Sequence, residues 1–551
     1  MLFLLLMVLM PMSRLAWESL VTFERPPSSL LSWWTVWQEA HWRFRLQWSL
    51  AQAAISSVLT LVLGLPIAWV LARYAFWGRA WVLRLLLLPF VVPTLVAALG
   101  ILALWGPSGW WGEPLNAWLQ THVHPDATLE DSPFLLILGN LFFNLCVVVR
   151  AAVEALGQVS AHRLAAARTL GATPWRAFWR IEWPAIRLAV VAALCLVFLY
   201  CFSGMGLALV LGGQQWATLE VEIYTLVAHE LRLAEASLLT LWSTGLGLGL
   251  ALLFTALSTR LSQTRRPDTI ALRPVRTAPE RLALSLALTI LALCCGAPLL
   301  ATLARAAADL SATWQVWQAP ETLDAVQNTL QFSATALLGA TALGLLHGFA
   351  AHHARLWHEK NESCLRNTYK PYTLFFIKIC RWLLSTSSWL PFVASPVVVA
   401  FGLLLLYPEA SGSGTVLMAA YTLLAYPFVT HSVMQGLSSF PPQWFYAAHS
   451  LGAGPMRTWW RVTLPLLRPA LRRGMAFAAA TALGEFAVSL FLSRPEWTTL
   501  TTLIYQHLGR PGAAHLHAAH ALSLLLMVLA LGAFLALDGR AAAESRASTA
   551  S

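Results

Sequence analysis

The stretch AAARTLGATPWRAFWRIEWPAIR, residues 165–187, sets arginines, a glutamate and two prolines between runs apolar enough for lipid, and it returns as YAAHSLGAGPMRTWWRVTLPLLR at 446–468. A shift of 281 residues aligns the two without a gap, and 11 of the 22 positions from Ala166 to Arg187 are identical. Gly171 falls on Gly452, Pro174 on Pro455, Arg176 on Arg457, Arg180 on Arg461 and Pro184 on Pro465. The agreement continues outward, with Trp216 on Trp497, Thr218 on Thr499 and Tyr224 on Tyr505. A single offset held over this distance is the mark of a duplication. Within the segment, Ala161 to Leu170 reads as a short alanine-rich helix that Gly171 stops in a left-handed conformation. Thr173 then caps a second helix, which Pro174 opens at a position where the missing N–H costs nothing. In the second copy Pro441 and Pro442 open, Gly452 stops and Pro455 restarts.

The surroundings are membrane. With 58% hydrophobic and 11% charged residues over 551 positions, the chain is far from soluble usage, where about a quarter of residues are charged. Apolar runs of spanning length lie near 46–71, 82–104, 133–153, 189–211, 238–257, 282–303, 326–350, 384–406, 416–433, 475–492 and 517–537. A shorter run, Met1 to Met12, is a twelfth span if it borrows Leu15 to Trp17; it lacks the basic leader and small-residue cleavage site of a signal peptide. If the spans alternate from a cytoplasmic N-terminus, 28 of the 36 lysines and arginines fall on the side of the two repeated loops. The positive-inside rule makes that side cytoplasmic. The net charge of +11 is therefore topology, and nucleic-acid binding is not needed to explain it. Two cytoplasmic copies separated by an even number of spans are parallel repeats. Residues 1–258 form the first, 259–281 a cytoplasmic linker, 282–538 the second and 539–551 a cytoplasmic tail.

Upstream the offset is not constant. Gln52 pairs with Gln331 at an offset of 279, whereas Pro89 and Phe90 pair with Pro391 and Phe392 at 302. Extra residues therefore lie in the loop after the eighth span, about 355–383, and carry all three lysines of the chain, Lys360, Lys370 and Lys378.

Paired alanines, a glycine four or five residues on, and a hydrophobic residue shortly before a proline about a dozen further resemble the coupling loop of permease subunits in ABC-type importers. Here these are Ala166, Ala167, Gly171, Ile181 and Pro184, then Ala447, Ala448, Gly452, Val462 and Pro465. The glutamate usual before the alanines is absent, replaced by Ala165 and Tyr446. Two such loops in one chain resemble the fused permeases for thiamine and for ferric iron. LFFNLCVVVR, CFSGMGLALVLGG and GILALWGPSGW are most similar to the thiamine and thiamine pyrophosphate group, and the ferric-iron permeases share much of the pattern. The resemblance implies an all-α integral membrane protein of two parallel six-helix repeats, about 12 transmembrane helices, with a type I ABC importer permease-like fold. It implies two copies of an ATPase subunit docked on the loops, a periplasmic substrate-binding protein outside, and residence in the lipid bilayer of a bacterial inner membrane.

Other classes lack their residues. No GxxxxGK[ST] stretch supplies a nucleotide site, no catalytic constellation appears, and nothing calls for a cofactor. His515, His517 and His520 cluster at the mouth of the last span, and His122 and His124 sit in an outer loop with Asp126, Glu130 and Asp131; histidines in such places are more often interfacial than metal ligands, and the seven cysteines have no metal or redox spacing. An ion-coupled secondary transporter needs several charges inside its spans, and Glu485, opposite Gly204 in the first repeat, is the one acid well inside a span. It is a candidate for the substrate pathway, against the alternative of a carboxylate bonded to a neighbouring helix. Trp216, Tyr224, Trp497 and Tyr505, in the outer loops, are candidates for contact with the binding protein, against the alternative of an interfacial aromatic belt.

Overall fold

The computed structural model describes residues 2–21, 39–261, 272–368, 384, 387–410, 413–492 and 494–550. Among these, nine helices are long and apolar enough to span a membrane. In the first half they are α1 (Leu2–Ser19), α2 (Ala40–Arg73), α4 (Phe134–Gly157), α5 (Pro174–Ser203) and α6 (Leu233–Leu257), and in the second α7 (Ala278–Ala307), α8 (Pro320–Ala354), α10 (Gly414–Ser439) and α12 (Ala513–Asp538). A tenth span, α3, is bent by 105° between Arg79–Val91 and Thr94–Trp105. Its break falls at Val92 and Pro93, since proline pushes its predecessor out of the helical region. The second half answers with Leu390–Val393 followed by α9 (Pro396–Leu406), repeating the LPFV of Leu88–Val91. The counterpart of α5 is α11 (Leu464–Leu483), whose Arg468, Arg472 and Arg473 lower its apolarity. Twelve elements thus stand in two sets of six.

Proline also decides where helices change pitch. Four of the five wide-turn segments among the described residues, Leu5–Leu9, Phe178–Glu182, Ala292–Gly296 and Trp459–Thr463, end two residues before a proline, Pro11, Pro184, Pro298 and Pro465; the fifth, Leu226–Glu230, does not. Proline offers no N–H, and its ring collides with the carbonyl four residues back. Loosening the preceding turn keeps the helix continuous. The matched prolines of the two loops therefore continue their helices into the membrane, so α5 and α11 begin about a dozen residues before the apolar runs at 189–211 and 475–492. Those runs are not single helices either. They break at Gly204 and at Glu485–Phe486, and short helices follow at Met205–Leu211 and Ala487–Leu492.

The duplication is visible in packing. An added Cβ at Gly64 on α2 would meet Val148 of α4 at 3.2 Å, and one at Gly344 on α8 would meet Val429 of α10 at 2.7 Å. This pairing corrects the expected match of Gln52 with Gln331. Gln52 is buried and Gln331 exposed, whereas Phe332, one residue on, is buried. A slip of one residue rotates a helix by about 100°, which the glycine contacts do not allow. The first helix of each half crosses to the other half. A Cβ at Gly100 on α3 would come within 2.2 Å of the Pro298 carbonyl oxygen of α7, and one at its match Gly402 on α9 within 2.8 Å of Pro11 of α1. Below α2, the strand β1 (Tyr74–Ala75) pairs in parallel with β2 (Arg273–Pro274), tying the linker between the halves to the end of α2. The backbone of the eighth helix runs on through Lys360 to Thr368; Lys370 and Lys378 lie outside the described residues.

Candidate functional site

Both cytoplasmic loops fold as their sequences require. Ser160 caps Ala161–Thr169, accepting from the Arg163 N–H. Gly171 then takes φ 78° and Gly452 φ 74°. The next N–H reaches back in each copy, Ala172 to the Ala167 carbonyl and Ala453 to the Ala448 carbonyl, both at 3.0 Å. This is the helix end that a left-handed residue permits, and it gives the paired alanines a backbone role. Thr173 accepts from the Arg176 N–H at 3.4 Å and opens the next helix at Pro174; in the second copy Gly454 stands at that place and Pro455 opens the helix.

The surface these turns present is apolar at its tip and basic around it. Leu170 and Leu451, matched residues, are each 87% exposed, and the matched pairs Trp175 with Met456 and Trp179 with Trp460 are exposed too. Ala166, Ala447, Pro184 and the four arginines Arg176, Arg180, Arg457 and Arg461 reach solvent to differing degrees, whereas Ala448 is buried; Pro465 is half-buried. Such patches mark interaction sites. The sequence reading named the alanines and glycines and passed over the leucines. Their signal was an apolar residue immediately before the turn glycine in both copies.

The first loop has an anchor that the second lacks. Glu182, buried at its base, pairs with Arg73 at the end of α2 and accepts from the Trp69 indole N–H at 2.9 Å. Thr463 stands at the matching place and bonds only within its own turn, to Thr458.

The four breaks, in α3, α9, α5 and α11, converge on a cavity of about 340 Å³ lined from both halves. Glu485 lines it, and its Oε1 accepts from the Val488 N–H at 3.1 Å. The carboxylate thus caps its own broken helix while facing the space between the halves. Its backbone carbonyl accepts from the Thr501 hydroxyl at 3.0 Å. On the first-half wall, Asn140 donates to the Gln52 Oε1 at 2.8 Å and to Ser56 at 3.1 Å, and Asn144 donates to the Asn140 carbonyl at 2.8 Å. Gln52 donates in turn to the Cys201 carbonyl at 2.7 Å. This polar set was missed, although asparagines four apart inside an apolar run are costly in a membrane and signal an inward face. In the second half the same positions hold Tyr421 and Ala425.

The outer loops place the four aromatic candidates unequally. Tyr224 is only 8% exposed and packs edge-on against Phe491 of the other half at 5.2 Å, while half-buried Tyr505 lies 5.3 Å from Phe486. Tyr224 thus faces the seam between the halves, whereas Tyr505 packs within the second half and remains half-exposed. Trp216 is half-buried, lies tilted against Trp48 with ring centroids 4.7 Å apart and donates to the Asp131 carbonyl at 2.7 Å; Trp497 is half-buried as well. Beside Asp131, burial and the neighbouring charge push the Glu130 carboxyl above its ordinary range. Glu220, fully buried, receives the hydroxyls of Ser243 at 2.6 Å and, across the two halves, Ser395 at 2.7 Å. His517 meets Thr313 at 3.1 Å and His507 meets His515 at 3.2 Å, and no cluster among the described residues forms a metal site.

Two apolar-tipped loops on the arginine-rich face, under a cavity shared by two intertwined repeats, define a transport permease moved by a separate cytoplasmic engine. The chain belongs to the family of binding-protein-dependent transport system inner membrane components, whose model matches residues 61–266 and 375–540. It is thus a multi-pass inner-membrane subunit of an ABC importer and not an enzyme, working with an ATP-hydrolysing subunit and a substrate-binding protein. It is 27% identical over 496 residues to the thiamine transport system permease protein ThiP of Escherichia coli (strain K12), covering 87% of this chain and 85% of the relative. It is 28% identical over 521 residues to that of Brucella abortus (strain 2308), covering 92% and 89%. A shorter match, 35% over 168 residues, covers 30% of this chain and 58% of the sulfate transport system permease protein CysW of Synechocystis sp. (strain ATCC 27184 / PCC 6803 / Kazusa).

Proposed function

We propose that this chain carries thiamine, or a thiamine phosphate, across the inner membrane. The binding protein delivers the substrate to the outer surface near Trp216 and Trp497, and two ATPase subunits drive the cycle, one on each loop. The first loop offers Ala166, Ala167, Gly171, Pro174, Arg176, Arg180 and Pro184; the second offers Ala447, Ala448, Gly452, Pro455, Arg457, Arg461 and Pro465. The repeats 1–258 and 282–538 move against each other, and substrate passes between them along the cavity that Glu485 lines.

The observation that carries this reading is the pair of left-handed glycines, each presenting an 87% exposed leucine on the basic face. Two equivalent docking points in one chain call for two equivalent partners. Likeness over most of the chain to thiamine permeases supports the substrate. Bare ferric iron, the other cargo of resembling permeases, prefers several oxygen ligands, and the cavity offers one carboxylate.

Reconstitution in proteoliposomes with the ATPase and the binding protein tests it. Uptake of radiolabelled thiamine should require both partners and ATP. Uptake of iron in place of thiamine, or uptake driven by a proton gradient without ATP, would refute it.

A further inference from the structure

We infer that the short helix Leu219–Thr225 is a one-sided latch at the outer end of the seam, in which Glu220 holds the second half through Ser395 and restrains ATP hydrolysis in the resting importer. This inference rests on the importer reading and adds a point of regulation to it. Six of the helix's seven residues are buried, although it directly follows the outer loop of Trp216. Glu220 and Tyr224, four residues apart, share one helix face. Both meet the other half. The Glu220 carboxylate accepts from the Ser395 hydroxyl at 2.7 Å, and Tyr224 packs edge-on against Phe491 at 5.2 Å. Ser395 is itself held in place, because its oxygen caps α9 by accepting from the Val398 N–H at 3.2 Å. It also lines the central cavity, so the bond joins the outer end of one half to the cavity wall of the other.

The duplication supplies the comparison. On the matching helix, Leu500–Leu508, Thr501 stands at the place of Glu220 and Tyr505 at that of Tyr224. Both turn to their own half, Thr501 donating to the Glu485 carbonyl at 3.0 Å and Tyr505 lying 5.3 Å from Phe486. Pro93 stands where Ser395 does and has no hydroxyl to give. It meets the second half at Gly484, where a Cβ would lie 3.2 Å from the Pro93 Cα. One contact between the halves is thus polar and its counterpart apolar. A carboxylate taken out of water needs the donors it finds. Two hydroxyls serve Glu220, Ser243 of α6 at 2.6 Å from its own half and Ser395 from the other, and no charged group pairs with it among the described residues. Parting the halves at this end removes one of the two. Hydrogen bonds to an ionised group are the stronger kind, so the latched state is favoured until binding protein and ATP together supply the difference.

The test measures ATP hydrolysis and thiamine uptake by the permease–ATPase complex in proteoliposomes, with and without binding protein, scaled to folded protein by thermal melting. Glu220→Thr installs the residue of the second copy and leaves the Ser395 cap on α9 intact. It should raise hydrolysis in the absence of binding protein about tenfold, the worth of a hydrogen bond to a charged group, and increase the ATP consumed per thiamine carried. Ser395→Ala should do the same. The two together should do no more than either alone, because both delete one bond. Ser243→Ala removes a comparable bond within the first half, so it should lower the melting temperature and leave resting hydrolysis near wild type. A merely structural role predicts a different pattern: the three variants lose stability alike with the ATP consumed per thiamine unchanged, and Ser395→Ala, as a lost helix cap, adds its effect to that of Glu220→Thr. Unchanged resting hydrolysis in Glu220→Thr and Ser395→Ala, or additive effects, overturns the inference, and ATP-driven uptake by wild type then leaves the importer reading standing. Absence of thiamine uptake by wild type refutes the importer reading instead, and the hydrolysis rates still decide the latch.

Discussion

Substituting Gly171 and Gly452 separates backbone geometry from every other property of the loops. Both glycines sit at positive φ, and a Cβ built on either meets nothing within 4 Å. Any defect therefore comes from strain in the left-handed conformation and not from collision. Alanine there costs about 1–2 kcal/mol, asparagine less because it visits this region readily, and β-branched valine more. Since 1.4 kcal/mol is a factor of about ten, an alanine in one loop should lower ATPase affinity about five- to thirtyfold. Valine in both loops should abolish capture, and asparagine should stay near wild type. The assay is titration of the purified ATPase onto detergent-solubilised permease, with membrane levels as the control; these should not change, because both residues are exposed and lie outside the apolar core. Wild-type affinity for the double valine variant would refute the reasoning. So would an asparagine variant as defective as valine, because that pattern tracks side-chain size and not backbone conformation.

Glu182→Gln leaves the buried Arg73 without its charge partner and should lower stability by about 3–5 kcal/mol, while changing Arg73 and Glu182 together to methionine should restore much of it; thermal melting in detergent reads both. Gly100→Ala should sharply reduce folded protein, because the new Cβ would lie 2.2 Å from a backbone oxygen of α7, whereas Gly249→Ala, with open space around it, should be neutral; fluorescence size-exclusion profiles distinguish the two.

The repeated loops were legible in the sequence because their determinants are local. A glycine that must be left-handed, prolines that open helices and a threonine that caps one act over a few residues, and the duplication printed them twice. The cavity was only half legible. Glu485 stood out as an acid inside an apolar run, but Asn140 and Asn144 acquire meaning only when α2 supplies Gln52 and Ser56 beside them, a contact set by packing some 90 residues away in the chain. The runs at 189–211 and 475–492 hid the breaks at Gly204 and Glu485, because hydropathy averages across one non-helical residue and does not record where a helix must reopen. The burial of Tyr224 against Phe491 of the other half was hidden for a related reason: its match with Tyr505 marks the two as equivalent, but equivalence does not say which of them faces the other half.

The central claim, that each loop seats one ATPase subunit, is tested most directly by a photoreactive benzophenone amino acid placed at Leu170 or at Leu451 in the assembled importer. The account predicts an irradiation-dependent cross-link to the ATPase from either position, and a permease joined to two ATPase subunits when both carry the probe. No cross-link from either leucine, in complexes where a probe at the likewise exposed Trp77 does capture the ATPase, would contradict it.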